Sequence, residues 1–530
     1  MANAILSGYS LKEKQTGYRD YIGDIIHLED DVVTTIEMNT ESNISNTLKI
    51  GGINLDEAIS NIDAVKTNGI TSSEILNQKR FGDIRLMVNT TDNSAVGERY
   101  NFIVTEDEEI FLIGRNPSNY FVNGQADDIL GLHSIRNPKQ GISKIKEILT
   151  VYWSVYVLYE DGDLYVMGEN NNGQLGIGNL SIQYALTFSA DNVIKVSTSG
   201  VGVDGSVISV LILKNDGTVW ACGYNNFGQL GIGSTTTNEN IWKQSLIPMS
   251  VGTPIDILMS GTRISSAFII TDTGKLLVTG YNGYGQLGDG TTVNKSSFSK
   301  VLALDTEIVT EITSNEGISV LCLTQSGKVF SWGYNGHGEL GDGTTVNKTL
   351  PQQVTTIPAP YNSVSNPIVK LVGGKSHYGM YGLLSKNGDL FTVGYNGYGQ
   401  IGDGTTVNKS SYVFVLGNVK YVEVATSSIY SYHRTLWALT NNNILYSWGY
   451  NGEGQCGQNH TTNVLLPTKV NFEYSGDIKQ ITMLGYSSAV TVYILLNDGR
   501  IYACGDNDYQ QVSKNTSATI NRLVYTFQGE

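Results

Sequence analysis

Cysteine, proline and long apolar runs are all scarce in this sequence. The chain of 530 residues contains 9 prolines and 4 cysteines. The separations between the cysteines, 100, 134 and 48 positions, fit neither a zinc site nor a disulfide framework. No stretch approaches the roughly 18 apolar residues of a membrane span, and the first residues lack the basic and apolar segments of a secretory signal. We therefore expect buried, reduced thiols, no export signal and no membrane insertion. The four cysteines are Cys222, Cys322, Cys456 and Cys504.

Positive charge is also in short supply. Lysine and arginine number 34 against 49 aspartates and glutamates, which gives a formal net charge of −15. A chain of this charge has no long-range attraction for phosphate backbones or anionic lipid. Nucleic acids and membrane surfaces are therefore excluded as expected partners.

Glycine, in contrast, is abundant and regularly spaced, with 60 residues in the chain. One unit recurs: an apolar strand, a polar turn, a second apolar strand, then Gly-x-Asn-x-x-Gly-Gln-Leu-Gly. Clear copies begin at Leu211, Phe268, Val320, Gly382 and Leu436. With three weaker copies, the first glycines of the motif are spaced by 54, 55, 57, 53, 61, 55 and 56 residues. These repeat glycines are Gly114, Gly168, Gly223, Gly280, Gly333, Gly394, Gly449 and Gly505.

Each repeat has room for four strands. Turn residues such as Asn215-Asp216-Gly217 separate the two apolar strands, which is a hairpin signal. Alternating runs such as 368–372 and 478–482 indicate a further half-buried strand between hairpins. No convincing helix follows residue 80. The sequence therefore predicts an all-β, closed β-propeller of four-stranded blades of about 55 residues, with a small α+β extension at the N-terminus.

Residues 81–530 resemble the regulator-of-chromosome-condensation repeat family, because several copies of its long motif are present. The resemblance implies a propeller that usually has seven blades, whereas eight hairpins are visible here, so we predict seven or eight. Residues 83–88 are typical of a strand that precedes a hairpin. Residues 521–527 are typical of an outer strand without one. Joining the two segments in one blade would close the ring without a free edge.

Residues 1–80 do not carry the repeat and are predicted to serve attachment or oligomerisation. A short helix is expected at 55–67, with Leu55, Ile59, Ile62 and Val65 on one face. Since a helix of about twelve residues is marginal alone, this face must be buried. The apolar face packs either on the flank of the propeller or against identical helices in an oligomer. If it forms an oligomer, we expect a trimer.

Several motifs that suggest chemistry have a structural explanation. Gly283 to Gly288 spell G-x-G-x-x-G, but a loop follows instead of the helix that a dinucleotide site requires. Asp289, Asp342 and Asp403 supply one carboxylate per loop, far fewer than the roughly six to eight oxygens of a calcium site. The histidines form no zinc motif, and no nucleophile elbow is present. We expect no cofactor, no metal and no enzymatic activity.

The aromatic pattern is the best indication of function. A first aromatic set directly follows the repeat glycines: Tyr224, Tyr281, Tyr334, Tyr395 and Tyr450. A second aromatic set lies three positions later: Phe227, Tyr284, His337, Tyr398 and Tyr509. The uniform first set favours packing between blades. The varied second set is predicted to form a ligand-binding ring for protein or glycan.

Two functions, both of them binding, remain open. An attachment region followed by a repetitive head resembles a bacteriophage tail fibre or receptor-binding protein. Such a protein would contact other virion proteins through residues 1–80 and a cell-surface receptor through the propeller, and its location would be the virion tail.

The alternative is a stand-alone protein-binding propeller in the cytoplasm, an inhibitor or exchange-factor-like scaffold, as the family resemblance implies. A glycan-cleaving enzyme with paired carboxylates is a weaker third possibility, because the repeats mark out no such pair.

Overall fold

The computed structural model describes residues 49–50, 53–54, 84–89, 100–114, 129–200, 207–235, 238–261, 264–315, 318–358, 365–373, 379–425, 433–471, 477–486, 489–508, 512 and 519–525. The chain divides into two compact units, residues 1–82 with 528–530, and residues 83–527. In the first unit, β1 (Lys49–Ile50) pairs antiparallel with β2 (Ile53–Asn54). The helix predicted at 55–67, with Leu55, Ile59, Ile62 and Val65, lies outside the described residues.

The second unit is an all-β propeller of eight blades, each a sheet of four consecutive antiparallel strands. Blades 1 to 4 consist of β3–β6 (Ile84–Asn89, Tyr100–Thr105, Ile110–Gly114, Ile129–Ile135), β7–β10 (Ile145–Val151, Ser154–Tyr159, Leu164–Gly168, Gln183–Ala190), β11–β14 (Val193–Thr198, Ser209–Lys214, Val219–Tyr224, Asn238–Gln244) and β15–β18 (Pro254–Ser260, Ser266–Thr271, Leu276–Gly280, Lys295–Lys300). Blades 5 to 8 consist of β19–β22 (Val309–Asn315, Ser319–Thr324, Val329–Gly333, Lys348–Gln353), β23–β26 (Ile368–Gly373, Met380–Ser385, Leu390–Gly394, Lys409–Leu416), β27–β30 (Val419–Val424, Thr435–Thr440, Leu445–Gly449, Val464–Lys469) and β31–β34 (Ile478–Tyr486, Ala489–Leu496, Ile501–Gly505, Ile520–Tyr525). A short 3-10 helix, Leu302–Leu304, lies between blades 4 and 5.

This architecture confirms the predicted propeller and its four-stranded repeat, and the number of blades is eight. The predicted mode of closure is wrong. β3 pairs with β4 inside blade 1, and β34 pairs with β33 inside blade 8, so the two chain ends do not share a blade. The ring closes instead between β3 and β31: the Met87 amide donates to Gln480 Oε1 at 3.3 Å, and Gln480 Nε2 donates to the Met87 carbonyl at 2.9 Å.

The core lies between neighbouring blades. The second strand is buried along its whole length in β8 and β16, whereas no residue of the outermost strand β14 is buried. Leu211 and Leu230 of blade 3 pack with Ile257, Ala267 and Phe298 of blade 4 in one apolar cluster. Each blade therefore buries its apolar faces against its neighbours, and repetition of the strand pattern produces a ring. Among the described residues, no helix is long and apolar enough to cross a membrane.

In blades 5 and 7, the residue before the repeat glycine links the blade to the preceding one. Trp332 and Trp448 are fully buried, and their indole N–H groups donate to the carbonyls of Gln286 and Gln400 in the preceding blade, at 2.8 and 3.1 Å. Cys222 occupies the same position in blade 3, and burial raises the pKa of its thiol. All four cysteines are buried and free, which confirms the prediction of reduced, core-filling thiols.

Candidate functional site

The turn after the third strand of each blade holds the aromatic residues. In blade 4, the amide of Tyr281 donates to the Ser265 carbonyl at 3.0 Å. The amide of Tyr284 donates to Gln286 Oε1 at 2.9 Å, and Gln286 is fully buried. Both members of the pair are thus attached to the blade through their backbones, which leaves their rings available for other contacts.

A buried asparagine closes the same turn. Asn282 Oδ1 accepts the Leu287 amide at 2.9 Å, and Asn282 Nδ2 donates to the carbonyls of Thr291 and Val293, both at 3.1 Å. Asn282 has no exposed surface, so these bonds hold the turn without competition from water. The asparagine of the sequence motif is therefore a structural residue.

The glycines of the motif allow close contacts. A Cβ on Gly283 would lie 2.1 Å from the hydroxyl of Tyr281, whose ring lies over that position. Gly285 has φ +79°, and a Cβ there would lie 2.7 Å from Cα of Thr349 in the next blade. Only glycine fits such a site without strain. In blade 4, the glycines of G-x-G-x-x-G therefore allow a tight turn and close packing against the next blade.

The two aromatic sets alternate in one continuous series of nine partly exposed rings across blades 3 to 7, which we call the aromatic arc. Ring centroids are 6.3–6.5 Å apart within a blade. They are 5.2–5.4 Å apart between a ring of the second set and the tyrosine of the next blade. Most of these contacts are edge-to-face, the arrangement that aromatic quadrupoles favour. The arc consists of Tyr224, Phe227, Tyr281, Tyr284, Tyr334, His337, Tyr395, Tyr398 and Tyr450.

A further histidine widens the arc at blade 7. The ring of His433, between β27 and β28, lies 4.4 Å from that of Tyr398 and 4.0 Å from that of Tyr450. Burial lowers the pKa of His433 and of His337 below the usual value of 6.5. Both imidazoles are therefore neutral at neutral pH, and the whole arc is uncharged.

Polar residues take the place of rings beyond both ends of the arc, with Asn172 between Glu169 and the first ring in the order of the repeat. In blade 2, Glu169 follows the repeat glycine, and burial raises its pKa to about 7. In blade 7, Glu453 takes the position of the second set: its amide donates to Gln455 Oε1 at 2.9 Å, and its Oε2 accepts the Thr519 hydroxyl at 3.1 Å. Asp506 stands at the tyrosine position in blade 8.

The structure brings together four of the five residues predicted for the ligand-binding ring, namely Phe227, Tyr284, His337 and Tyr398. Tyr509 lies outside the described residues. The sequence analysis separated the first set from the second, whereas the structure interleaves them. His433 lies in the segment between the first two strands of its blade, outside the repeated motif, so the repeat pattern gave no signal for it.

The Gly-Asp-Gly-Thr-Thr loops beside the arc are stabilised by hydrogen bonds and ion pairs within each loop. Asp289 Oδ1 accepts the Thr291 amide at 2.9 Å, and Asp289 Oδ2 pairs with Lys295 at 2.9 Å. Burial opposes ionisation, but the bonds from Lys295 and Thr291 outweigh it and lower the pKa of Asp289. The same ion pair recurs as Asp342–Lys348 and Asp403–Lys409. Among the described residues there is no group of three His, Cys, Asp or Glu side chains suited to a metal ion.

Comparison with known proteins identifies the repeat. The regulator of chromosome condensation (RCC1) repeat matches residues 216–266, 326–379 and 442–490. The chain is 29% identical to human E3 ubiquitin-protein ligase HERC2 over 60% of this chain and 6% of HERC2. It is 26% identical to the ultraviolet-B receptor UVR8 of Arabidopsis thaliana over 56% of this chain and 62% of UVR8.

A solved structure shows the same fold. The crystal structure of human WBSCR16 aligns with a TM-score of 0.51 at 17% sequence identity, covering 71% of this chain and 92% of that one. The described propeller is thus RCC1-like. Since the chain spans 6% of HERC2 and 62% of UVR8, these likenesses concern the repeat and its fold, not the activities of whole proteins.

Proposed function

We propose that this RCC1-like propeller is a non-catalytic protein-binding scaffold and that the aromatic arc is its contact surface. The observation that carries the proposal is the arc itself: nine rings in contact, all partly exposed, on five consecutive blades. Buried asparagines and glycines hold the turns beneath them. The rings are therefore available for a partner.

Such a surface has the physical properties of a protein interface. Tyrosine offers a large, rigid contact area and a hydroxyl, and it is enriched where binding energy is concentrated. Each ring of the arc already packs against its neighbours, so little rotational freedom is lost when a partner binds. A preorganised aromatic surface therefore supports binding better than isolated exposed rings.

The relatives also favour this function, which was the alternative from the sequence, over a bacteriophage tail fibre. By name, HERC2 is an E3 ubiquitin-protein ligase, which acts on other proteins, and UVR8 is an ultraviolet-B receptor. Neither is a virion protein. A tail-fibre role, a cell-surface receptor and a trimer formed through residues 1–80 stay predictions from the sequence.

Site-specific photocrosslinking of the full chain in an extract of its own cells tests the proposal. A photoreactive amino acid at Tyr284, in the arc, is compared with one at Tyr184, which is 47% exposed on the outermost strand β10. We expect discrete protein adducts from position 284 that are absent from position 184. Adding Tyr334→Leu and Tyr398→Leu should remove them.

Two results would contradict the proposal. Equal amounts of protein adduct from positions 284 and 184 would show that the arc binds proteins no better than another exposed surface. Saturable binding to whole bacterial cells, with no protein adducts in the extract, would favour the tail-fibre hypothesis instead.

A further inference from the structure

We propose that the aromatic arc binds an extended, positively charged segment of a partner protein, with arginine or lysine side chains over the rings and with Glu169 and Glu453 as acidic ends. This inference rests on the proposed function, because it specifies the chemistry of the partner at the same surface.

The arc presents no positive charge of its own. Its rings are uncharged, and three lysines of the adjoining loops, Lys295, Lys348 and Lys409, each pair with an aspartate of their own loop. Arg434, which follows His433, is fully buried and does not reach the surface. The formal charge of the whole chain is −15. Aromatic faces carry negative electrostatic potential, which attracts ammonium and guanidinium groups. The surface therefore favours a cationic partner over an anionic one.

The carboxylates add to this preference at the two ends. Glu169 is 5% exposed, and its Oε2 has no hydrogen-bond partner among the residues that the structure describes. A buried carboxylate oxygen without a donor is unfavourable, and a guanidinium held close to this end would offset its charge. Glu453 is half-buried at the other end, and its Oε2 bonds to Thr519. An occupant that spans the arc thus meets a carboxylate at each end.

Spacing favours an extended segment. Successive ring centroids along the arc are 5.2–6.5 Å apart. In an extended peptide, side chains on the same face repeat about every 6.7 Å, because each residue advances about 3.3 Å. Alternate side chains of such a segment can therefore meet successive rings. Each cation–ring contact is weak alone, but contacts made by one segment add through high effective concentration.

The test measures fluorescence anisotropy of a labelled peptide of alternating arginine and glycine, bound to the full chain at pH 8. A peptide with citrulline in place of arginine keeps the size and most hydrogen-bonding groups but removes the charge. We expect the arginine peptide to bind about tenfold more tightly than the citrulline peptide, and more weakly at higher ionic strength.

Two pairs of matched variants separate the arc from general attraction to an acidic protein. Tyr284→Leu with Tyr398→Leu should weaken binding about tenfold, while Tyr184→Leu with Phe188→Leu, on the exposed outer strand β10, should change it less than about twofold. Glu169→Gln with Glu453→Gln should weaken binding about fivefold. The same loss of charge at Glu160, between β8 and β9, and at Asp191, between β10 and β11, should have little effect, because both lie at the opposite end of blade 2.

The inference is overturned if the citrulline peptide binds equally well, if the control variants lose as much affinity as the arc variants, or if no peptide binds. Persistent crosslinks from position 284 in any of those cases would leave the protein-binding function standing. Displacement of the peptide by a neutral glucan would identify the arc as a glycan site and overturn both proposals.

Discussion

Blade 2 and blade 4 build the same turn with different residues after the repeat glycine. The amide of Glu169 donates to the Trp153 carbonyl at 2.9 Å, as the amide of Tyr281 donates to the Ser265 carbonyl at 3.0 Å. One turn therefore carries a carboxylate at the end of the arc, and the other carries a tyrosine in its middle. The backbone hydrogen bond of the turn is therefore the same with glutamate as with tyrosine.

The residue that both turns share is the next one, an asparagine. Asn170 Oδ1 accepts the Leu175 amide at 3.0 Å in blade 2, and Asn282 Oδ1 accepts the Leu287 amide at 2.9 Å in blade 4. Both asparagines are fully buried. The comparison teaches that the asparagine maintains the turn, whereas the residue before it determines the chemistry of the surface. This is why we assign the tyrosines to binding.

The largest expected effect tests, within one blade, whether the asparagine maintains the turn and the tyrosine before it does not. Asn396→Ala in blade 6 removes a fully buried side chain that donates to Asp403, Thr405 and Val407 and accepts the Ile401 amide. Each unsatisfied buried group costs about 1–3 kcal/mol, so we expect a loss of more than about 3 kcal/mol in the free energy of unfolding. Urea denaturation followed by tryptophan fluorescence measures it.

The neighbouring Tyr395→Leu is the matched variant. Leucine keeps apolar bulk and loses the ring contacts with His337 and Tyr398, at 5.3 and 6.5 Å. We expect a loss of about 1 kcal/mol. If Tyr395→Leu destabilised the chain as much as Asn396→Ala, the tyrosines would be fold residues and the comparison between blades 2 and 4 would lose its meaning.

The same division explains what the sequence could predict. The period of the repeat glycines, the hairpin turns and the alternating strands follow from local chemistry that recurs in every blade, so the propeller and the aromatic positions were predictable. Closure was not. Whether β34 completes blade 8 or joins β3 depends on pairing between chain ends. The contact between the Met87 amide and Gln480 that closes the ring recurs between the Leu371 amide and Glu311 in blades 6 and 5, but neither contact involves the glycine motif.

The arrangement of the arc was only partly predictable. Two aromatic positions per repeat were visible, but their alternation depends on how the turn of one blade lies against the tyrosine of the next. The contact between Phe227 and Tyr281, for example, crosses a blade boundary at 5.2 Å. Spacing along a chain contains no information on that distance.

Blade 5 extends the comparison to the buried part of the turn. Glu339 occupies the position that glutamine holds in blades 2, 3, 4, 6 and 7, and it is fully buried. Its Oε2 accepts the His337 amide at 2.7 Å, while its Oε1 has no hydrogen-bond partner among the described residues. Burial raises the pKa of Glu339 from 4.5 to about 7.

A pH-dependent effect on stability follows. A raised pKa in the folded state means that ionisation opposes folding, so the penalty is absent below about pH 4.5 and grows until about pH 7. Glu339→Gln should raise the free energy of unfolding by up to about 3 kcal/mol above pH 7, since one pKa unit corresponds to about 1.4 kcal/mol. Denaturation midpoints of both proteins between pH 4.5 and 8 provide the measurement.

The difference between the two proteins is the relevant quantity, because the raised pKa of Glu169 adds the same trend to both. Gln286→Glu in blade 4 is the reciprocal variant, and it should introduce a second penalty in the same pH range. A stability gain from Glu339→Gln that is equal at all pH values would mean that packing, not ionisation, distinguishes glutamate from glutamine here.

The smallest expected effect comes from exchanging the surface residue itself. Glu169→Tyr places a ring in blade 2. In blade 3, Asn226 Nδ2 donates to the hydroxyl of the equivalent tyrosine, Tyr224, at 2.7 Å. Asn171 takes the position of Asn226 in blade 2. The turn should accept the ring, and removing a carboxyl with a pKa of about 7 should stabilise the fold by about 1 kcal/mol at pH 8, allowing for solvent screening. Urea denaturation at pH 8 and pH 5 checks this, with Glu169→Gln as the control for charge alone. A loss of stability at both pH values for tyrosine but not for glutamine would show that blade 2 excludes a ring by shape. In that case the arc would end at blade 3 for a steric reason, and the carboxylate at its end would no longer be evidence for a cationic partner.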